Sequence, residues 1–233
     1  MNIIHLTDIH IGADDCLGGP DTEERDAKII FDNIVANIIA DYGPNANENV
    51  IAITGDLVDD ATKGDEINIS VGGNQISAPK QYKDAKDQIN RLSNAGFQVL
   101  VIPGNHDYGS GGMGYSKYVK KFKEVFFGND SITYPKLDWD IHHEIAFIGL
   151  DSMAAILTED KTDGVSFSDD NEDNDFDELG IPNYAGDYRT GYLGAYGKLG
   201  KEQLKDLDDM LYGARGRTYS SLFTSFSFPS KLL

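Results

Sequence analysis

The chain has a single cysteine, Cys16, among its 233 residues, so no internal disulfide can staple it and a thiolate metal cluster is excluded. Any metal must be held by Asp, His and Asn, and histidine is itself scarce, at five residues. No apolar run reaches the length of a membrane span, and the first residues lack the basic start of a signal peptide; the expectation is a cytoplasmic chain with no membrane partner. Cationic residues are few. There are 20 Lys and Arg against 39 Asp and Glu, and the formal net charge of -19 repels a phosphate backbone at long range. This argues against long nucleic acid as a partner, yet a local cationic centre could still attract one phosphate. With no Pro- or Ser-rich linker, residues 1–233 read as one α/β domain.

What is present is a design used three times. Val99-Leu-Val-Ile-Pro-Gly-Asn-His-Asp107 is a β-branched apolar run that stops at Pro103-Gly104 and delivers Asn105, His106 and Asp107 into a loop. Asn2-Ile-Ile-His-Leu-Thr-Asp8-Ile-His10 and Val50-Ile-Ala-Ile-Thr-Gly55-Asp56-Leu-Val-Asp59 repeat it. Three strand ends that converge on one crevice make a metal site.

Between these runs the spacing predicts helices. Ala27, Ile30, Phe31, Ile34 and Ile38 recur at helical intervals as far as Tyr42-Gly43, with Asp21 and Glu24 as a capping box. The strand, helix, strand order favours a parallel pair with a right-handed crossover. Residues 67–77 alternate about Gly72-Gly73, as an exposed hairpin does. Tyr82, Ala85, Ile89 and Leu92 mark a second helix closed by Gly96, and a basic amphipathic helix runs to Phe127 and Gly128. Residues 131–135, 140–143 and 145–150 read as strands of a second sheet. A last helix spans Leu199 to Leu211, buried through Leu204, Leu207 and Leu211, and a last strand Tyr219 to Phe223. Residues 158–179 form an acidic loop; its Asp169–Asp175 run lacks the Gly at the sixth position and the Glu at the twelfth that a calcium loop needs.

The donors suit phosphate-ester hydrolysis, where water is a poor nucleophile and the phosphoryl oxygens are already negative. Two divalent metal ions (Mn, Fe or Zn) address both problems, and they accept carboxylate, amide oxygen and imidazole. Asp8 and His10, one residue apart on an extended loop, face one side and can share an ion. Asp56 can bridge two ions, and Asn105 supplies a neutral oxygen.

The ordered set Asp8-x-His10, Gly55-Asp56-x-x-Asp59 and Gly104-Asn105-His106-Asp107 resembles the calcineurin-like metallophosphoesterase superfamily. The resemblance implies a four-layer αββα sandwich of two mixed sheets with a dinuclear centre at the sheets' carboxyl ends. By position, Asp8, His10, Asp56 and Asn105 are metal ligands. His106 is the catalytic general acid, with Asp59 orienting and charging its imidazole. Asp60 stands where the Ser/Thr protein phosphatase branch has arginine. Gly149-Leu-Asp-Ser152 and Leu193–Leu204 are similar to a later strand and helix of the group.

The resemblance also implies a metal-binding His after the strand Tyr219–Thr224, and a later Gly-His-x-His pair. Here Ser225 follows that strand, and the five histidines are His5, His10, His106, His142 and His143. The expectation is a truncated or frame-shifted copy, incomplete at its C-terminus with an atypical tail at 218–233. Such a copy is catalytically impaired, acts at most as a metal- or partner-binding module, or is completed in trans by another chain. His142 and His143 point to opposite faces of a strand and cannot both reach one ion, so they read as structural. His5 reads as a core residue, Cys16 as an incidental thiol, and Lys117, Lys120, Lys121 and Lys123 as a solvated helix face.

Overall fold

Strand β2 (Asn49–Thr54) is the middle of a three-stranded parallel sheet, between β1 (Asn2–Leu6) and β5 (Gln98–Ile102). The computed structural model describes residues 1–13, 26–110, 113–114, 116–134, 136–140, 145–151, 201–214 and 219–224. A central parallel strand is covered on both faces, which is why Val50-Ile-Ala-Ile53 is unbroken in its apolarity and buried throughout. Ile51, Ile53 and Val101 pack into the core shared with the helices. Ala52, Thr54, Leu100 and Ile102 line a cleft whose opposite wall carries Phe147, Gly149, Lys136 and Asp138.

Helix α1 (Ala27–Tyr42) starts at Asp26, whose carboxylate accepts the Lys28 N–H at 2.8 Å. The expected capping pair Asp21 and Glu24 lies outside the described residues. The buried stripe is Ala27, Phe31, Val35 and Ile38; Ile34, expected to be internal, is 38% exposed. From Phe31 a step of four residues returns to the same face at Val35, while Ile34 falls about 100° short of it.

The hairpin is as the alternation predicts: β3 (Glu66–Val71) and β4 (Asn74–Pro79) are antiparallel, and Gly72 and Gly73 have φ of 58° and 87°. Positive φ at both turn residues is what a two-residue hairpin of the right twist requires. Helix α2 (Lys80–Asn94) buries Tyr82, Ala85, Ile89 and Leu92. It closes at Gly96 (φ 97°), after which Phe97 is buried and donates to Leu92 O at 3.3 Å.

After a short ladder of β6 (Gly109–Ser110) and β7 (Met113–Gly114) comes α3 (Ser116–Phe127). Its Phe122 is fully buried, edge-on to Tyr82 and Tyr108 at ring-centre distances of 6.0 and 5.8 Å.

The second sheet has the order β10-β9-β8, with β8 at Lys136–Asp140, β9 at Ile145–Leu150 and β10 at Tyr219–Thr224. β9 pairs antiparallel with β8 and parallel with β10, so this sheet is mixed. Of the two sheets expected to be mixed, the second is; the first has three parallel strands among the described residues. The strand expected at 131–135 is also displaced: residues 131–134 are irregular and pairing begins at Lys136. Lys-Leu-Asp-Trp-Asp alternates charge with bulk and is easily passed over as a loop. Most of the strand expected at 140–143, with His142 and His143, lies outside the described residues, as do Cys16 and the 158–179 loop. The sheets meet where β9 carries Gly149: a Cβ there would lie 2.7 Å from Ile102 Cγ2.

Helix α4 (Lys201–Ala214) presents a face other than the predicted one. Gln203 is buried and Leu207 and Met210 are half-buried, while Leu204 and Leu211 are 49% and 39% exposed. The reason is polar. The Gln203 amide donates to Asp151 O at 2.7 Å and accepts from Asp151 N at 2.8 Å, which fixes the rotation of the helix. No helix among the described residues is long and apolar enough to cross a membrane.

Candidate metal centre

The site is built where β1, β2 and β5 run out. Beyond their ends, the first two strands stay laced as loops: Asp8 N–H donates to Gly55 O at 3.2 Å, His10 N–H to Asp56 O at 2.9 Å, and Ile11 N–H to Leu57 O at 3.0 Å. Asp59 N–H returns to Ile11 O at 3.0 Å, and buried Ile11, Leu57 and Val58 anchor the pair. Within this lacing Asp8, His10 and Asp56 have φ of 53°, 53° and 50°, the positive values among described residues other than glycine. Each costs on the order of 1 kcal/mol that the surrounding lattice must offset, and such residues cluster at working sites.

The turns bring His10, Asp56 and His106 together, with one ligand atom from each within 4.8 Å of the others. The two imidazoles meet edge-to-face at 4.6 Å between ring centres. Asp56 is 4% exposed, and its Oδ1 accepts the His106 N–H at 3.0 Å. Gly104 makes this approach possible, because a Cβ there would lie 2.8 Å from Asp56 Cγ and closer still to Oδ1. Asn105 is 1% exposed at the mouth of β5, and its carbonyl accepts the Tyr108 N–H at 3.2 Å.

Asp8 does not join the group. It is exposed, and its Oδ2 accepts from Thr7 Oγ1 at 2.7 Å. The expectation that Asp8 and His10 face one side rests on an extended backbone; with both residues left-handed, the i and i+2 side chains no longer share a direction.

Asp59 also differs from its expected pairing. Its carboxylate faces His10 Nδ1 at 3.6 Å, an ion pair too long for a close hydrogen bond, while His106 Nδ1 contacts the Asp59 main-chain carbonyl. A carbonyl only accepts, so His106 carries its proton on Nδ1 there and leaves Nε2 for other work. The facing Asp59 carboxylate raises His10 above the usual imidazole range; burial opposes it, and Asp56 and Asp8 add to it. The same contact holds Asp59 below the usual carboxylate range, with Lys63 assisting.

Asp107 is a residue whose part the sequence reading missed. It is fully buried; Oδ1 accepts the N–H groups of Leu57 and Val58, both at 3.0 Å, and Oδ2 accepts that of Gly104 at 2.7 Å. Burial pushes its carboxyl up to about 7, Asp56 adds to the rise, and the three N–H donors oppose it. Tyr82 OH donates to its carbonyl. The available signal was an acidic residue directly after two site residues in a Gly turn, where amides crowd. Asp60 is a loop cap: it accepts from Thr62 N and Oγ1 at 2.8 and 2.6 Å and pairs with Lys63 at 3.3 Å.

One carboxylate and two imidazoles, with a buried Asn beside them, suit a hard or borderline divalent ion such as Mn²⁺, Fe²⁺ or Zn²⁺. No curated protein matches the chain. The model of the calcineurin-like phosphoesterases, a family of phosphate-ester hydrolases that bind divalent metal ions, matches residues 1–219, a span that holds all three strand-end loops. The chain therefore belongs to the calcineurin-like phosphoesterase family.

Proposed function

We propose that this chain is a metal-dependent phosphoesterase that hydrolyses phosphate mono- or diesters at a dinuclear centre, on an αββα sandwich. The observation that carries the reading is the convergence of His10, Asp56 and His106 at three parallel strand ends, two of them on strained backbone. Asp56 would be shared between the ions, with His10 held toward one and Asn105 toward the other; Asp8 would join His10 only by turning in from its exposed position. When bound, the divalent ions neutralise the phosphoryl oxygens and lower the pKa of the attacking water.

The chain's own groups do the rest. His106 Nε2 faces the site because Nδ1 is tied to the Asp59 carbonyl, and from Nε2 it delivers the proton to the leaving oxygen. Asp59 holds His10, and so keeps that imidazole aimed into the group. The acidic surface selects against long polyanions, so the substrate is a small phosphate ester.

A second reading has its own observation: among their His, Cys, Asp and Glu side chains the described residues gather three donors at one point, fewer than two ions require. In that reading His106 is itself a ligand and the chain is a one-ion or partner-binding module. Hydrolysis of p-nitrophenyl phosphate and bis(p-nitrophenyl) phosphate by the 233-residue chain with added Mn²⁺, Zn²⁺ or Fe²⁺, beside Asp56→Asn, separates the two. Turnover lost in the variant supports the enzyme. No turnover with any metal, together with Mn²⁺ binding that His106→Gln abolishes, supports the binding module.

A further inference from the structure

We infer that Asp107 is the positioning residue of this site, a carboxylate that ties the loop carrying Asp56 to the loop carrying Asn105 and His106 and so sets the spacing of the metal-binding group. The metal arm of this inference rests on the function proposed above; the tether itself rests on hydrogen bonds alone. Asp107 lies outside the gathered group. Three main-chain N–H groups from two loops converge on its two oxygens: Leu57 and Val58 at 3.0 Å on Oδ1, and Gly104 at 2.7 Å on Oδ2. Leu57 directly follows Asp56, and Gly104 directly precedes Asn105.

The chemistry demands a carboxylate of this length. Satisfying donors on both sides takes two acceptor oxygens, and an amide offers one; its NH₂ would face an N–H on whichever side it took. Glutamate adds a methylene where Asp107 is 0% exposed. Tyr82, from the buried face of α2, donates to the Asp107 carbonyl and seats the residue from the helix side. The tether acts through its neighbours: it secures the turn in which Asp56 sits at φ 50°, and it presses Gly104 against the Asp56 carboxylate that also receives the His106 N–H. Without it the strained turn can relax, and the spacing of His10, Asp56 and His106 goes with it.

The test begins on the unmodified full chain. Through-hydrogen-bond scalar couplings in NMR from the Leu57, Val58 and Gly104 amides to the Asp107 carboxylate carbon are expected, and their absence overturns the inference. In Asp107→Asn those three amides should exchange at least tenfold faster while α1 and α2 amides keep their protection. The imidazole nitrogen signals of His10 and His106 should move, and Mn²⁺ affinity read by EPR titration should fall at least tenfold. Amides that stay protected, or Mn²⁺ affinity and imidazole signals that stay as in the parent chain, overturn it by showing a scaffold role only. A parent chain that binds no Mn²⁺ sinks the metal reading, and the couplings, exchange and imidazole signals still decide the tether.

Discussion

Both sheets end in a buried carboxylate, and the two are treated in opposite ways. Past β2 stands Asp56, 4% exposed on left-handed backbone, with two imidazoles converging on it. Past β9 stands Asp151, 0% exposed, which receives the Tyr108 hydroxyl at 2.6 Å while Gln203 clasps its backbone on both sides. Among the described residues, the Tyr108 hydroxyl and the Gln203 amide hold Asp151 and fasten the turn before α3 to α4. Around Asp56 the nearby side chains are two imidazoles, groups that can bind an ion or carry a proton. A strand-end aspartate thus becomes a site when several loops aim donors at it, and a rivet when its partners only complete its hydrogen bonds.

The largest expected effect tests the working side of that contrast. Under the proposed function, Asp56→Asn should lower metal-dependent phosphoesterase turnover by about two orders of magnitude or more, since the carboxylate charge offered to a divalent ion is gone. Its unfolding midpoint should stay near that of the parent chain, and a variant that keeps turnover breaks the contrast. Gly104→Ala comes next. Its methyl would run into the Asp56 main-chain nitrogen as well as the carboxylate, so the loop itself must shift, and both stability, by about 1–3 kcal/mol or more in urea unfolding, and Mn²⁺ binding should fall together. The rivet should behave otherwise. Gln203→Ala removes both clasps on Asp151 and should cost about 1–3 kcal/mol in stability with Mn²⁺ affinity changed less than about twofold.

The smallest effect sharpens the comparison through pH. In EDTA, His10 is raised above 6.5 by Asp59, so this contribution is full below pH 6.5 and is lost as pH rises through the raised value. Asp59 is lowered below 3.8, so its contribution is present above pH 3.8 and lost as pH falls. Both side chains are 27% exposed, which limits the pair to about 1 kcal/mol or less. The advantage of the parent chain over Asp59→Asn in thermal unfolding should therefore be greatest near pH 5 and shrink by pH 8. An advantage that grows toward pH 8 reverses the sign and breaks the assignment. Added Mn²⁺ competes for the same imidazole, so its binding should release a proton near pH 6.

The central strand β2 was legible because it is buried on both faces, and a run such as Val50-Ile-Ala-Ile53 has few other homes. β1 leaves Ile3 and His5 exposed, so His5 is not the core residue its strand position suggested. The helix faces were less so. Ile34 and Val35 are equally apolar, and only packing decides which faces inward; in α4 a polar clasp at Gln203 outranked Leu204 and Leu211. At the site, residue types and order identified the three loops. The left-handed turns were invisible to an alternation rule that assumes extended chain, so the direction of Asp8 was misread. Asp59 was expected to act on His106 alone, but it serves both imidazoles: its main-chain carbonyl meets His106 and its carboxylate faces His10. Asp107 escaped notice since its partners are main-chain amides, which every residue carries and no motif records.

The three left-handed residues have a consequence for how this chain answers selection. Glycine or asparagine relieves that backbone at positions 8, 10 and 56, so a library randomised there and sorted for heat resistance alone should drift toward them, away from histidine and aspartate. Sorted instead for divalent-ion retention, the same library should hold its imidazole and carboxylate against the gradient. The distance between the two enriched populations, position by position, is a direct chart of where this fold accepts discomfort in exchange for chemistry.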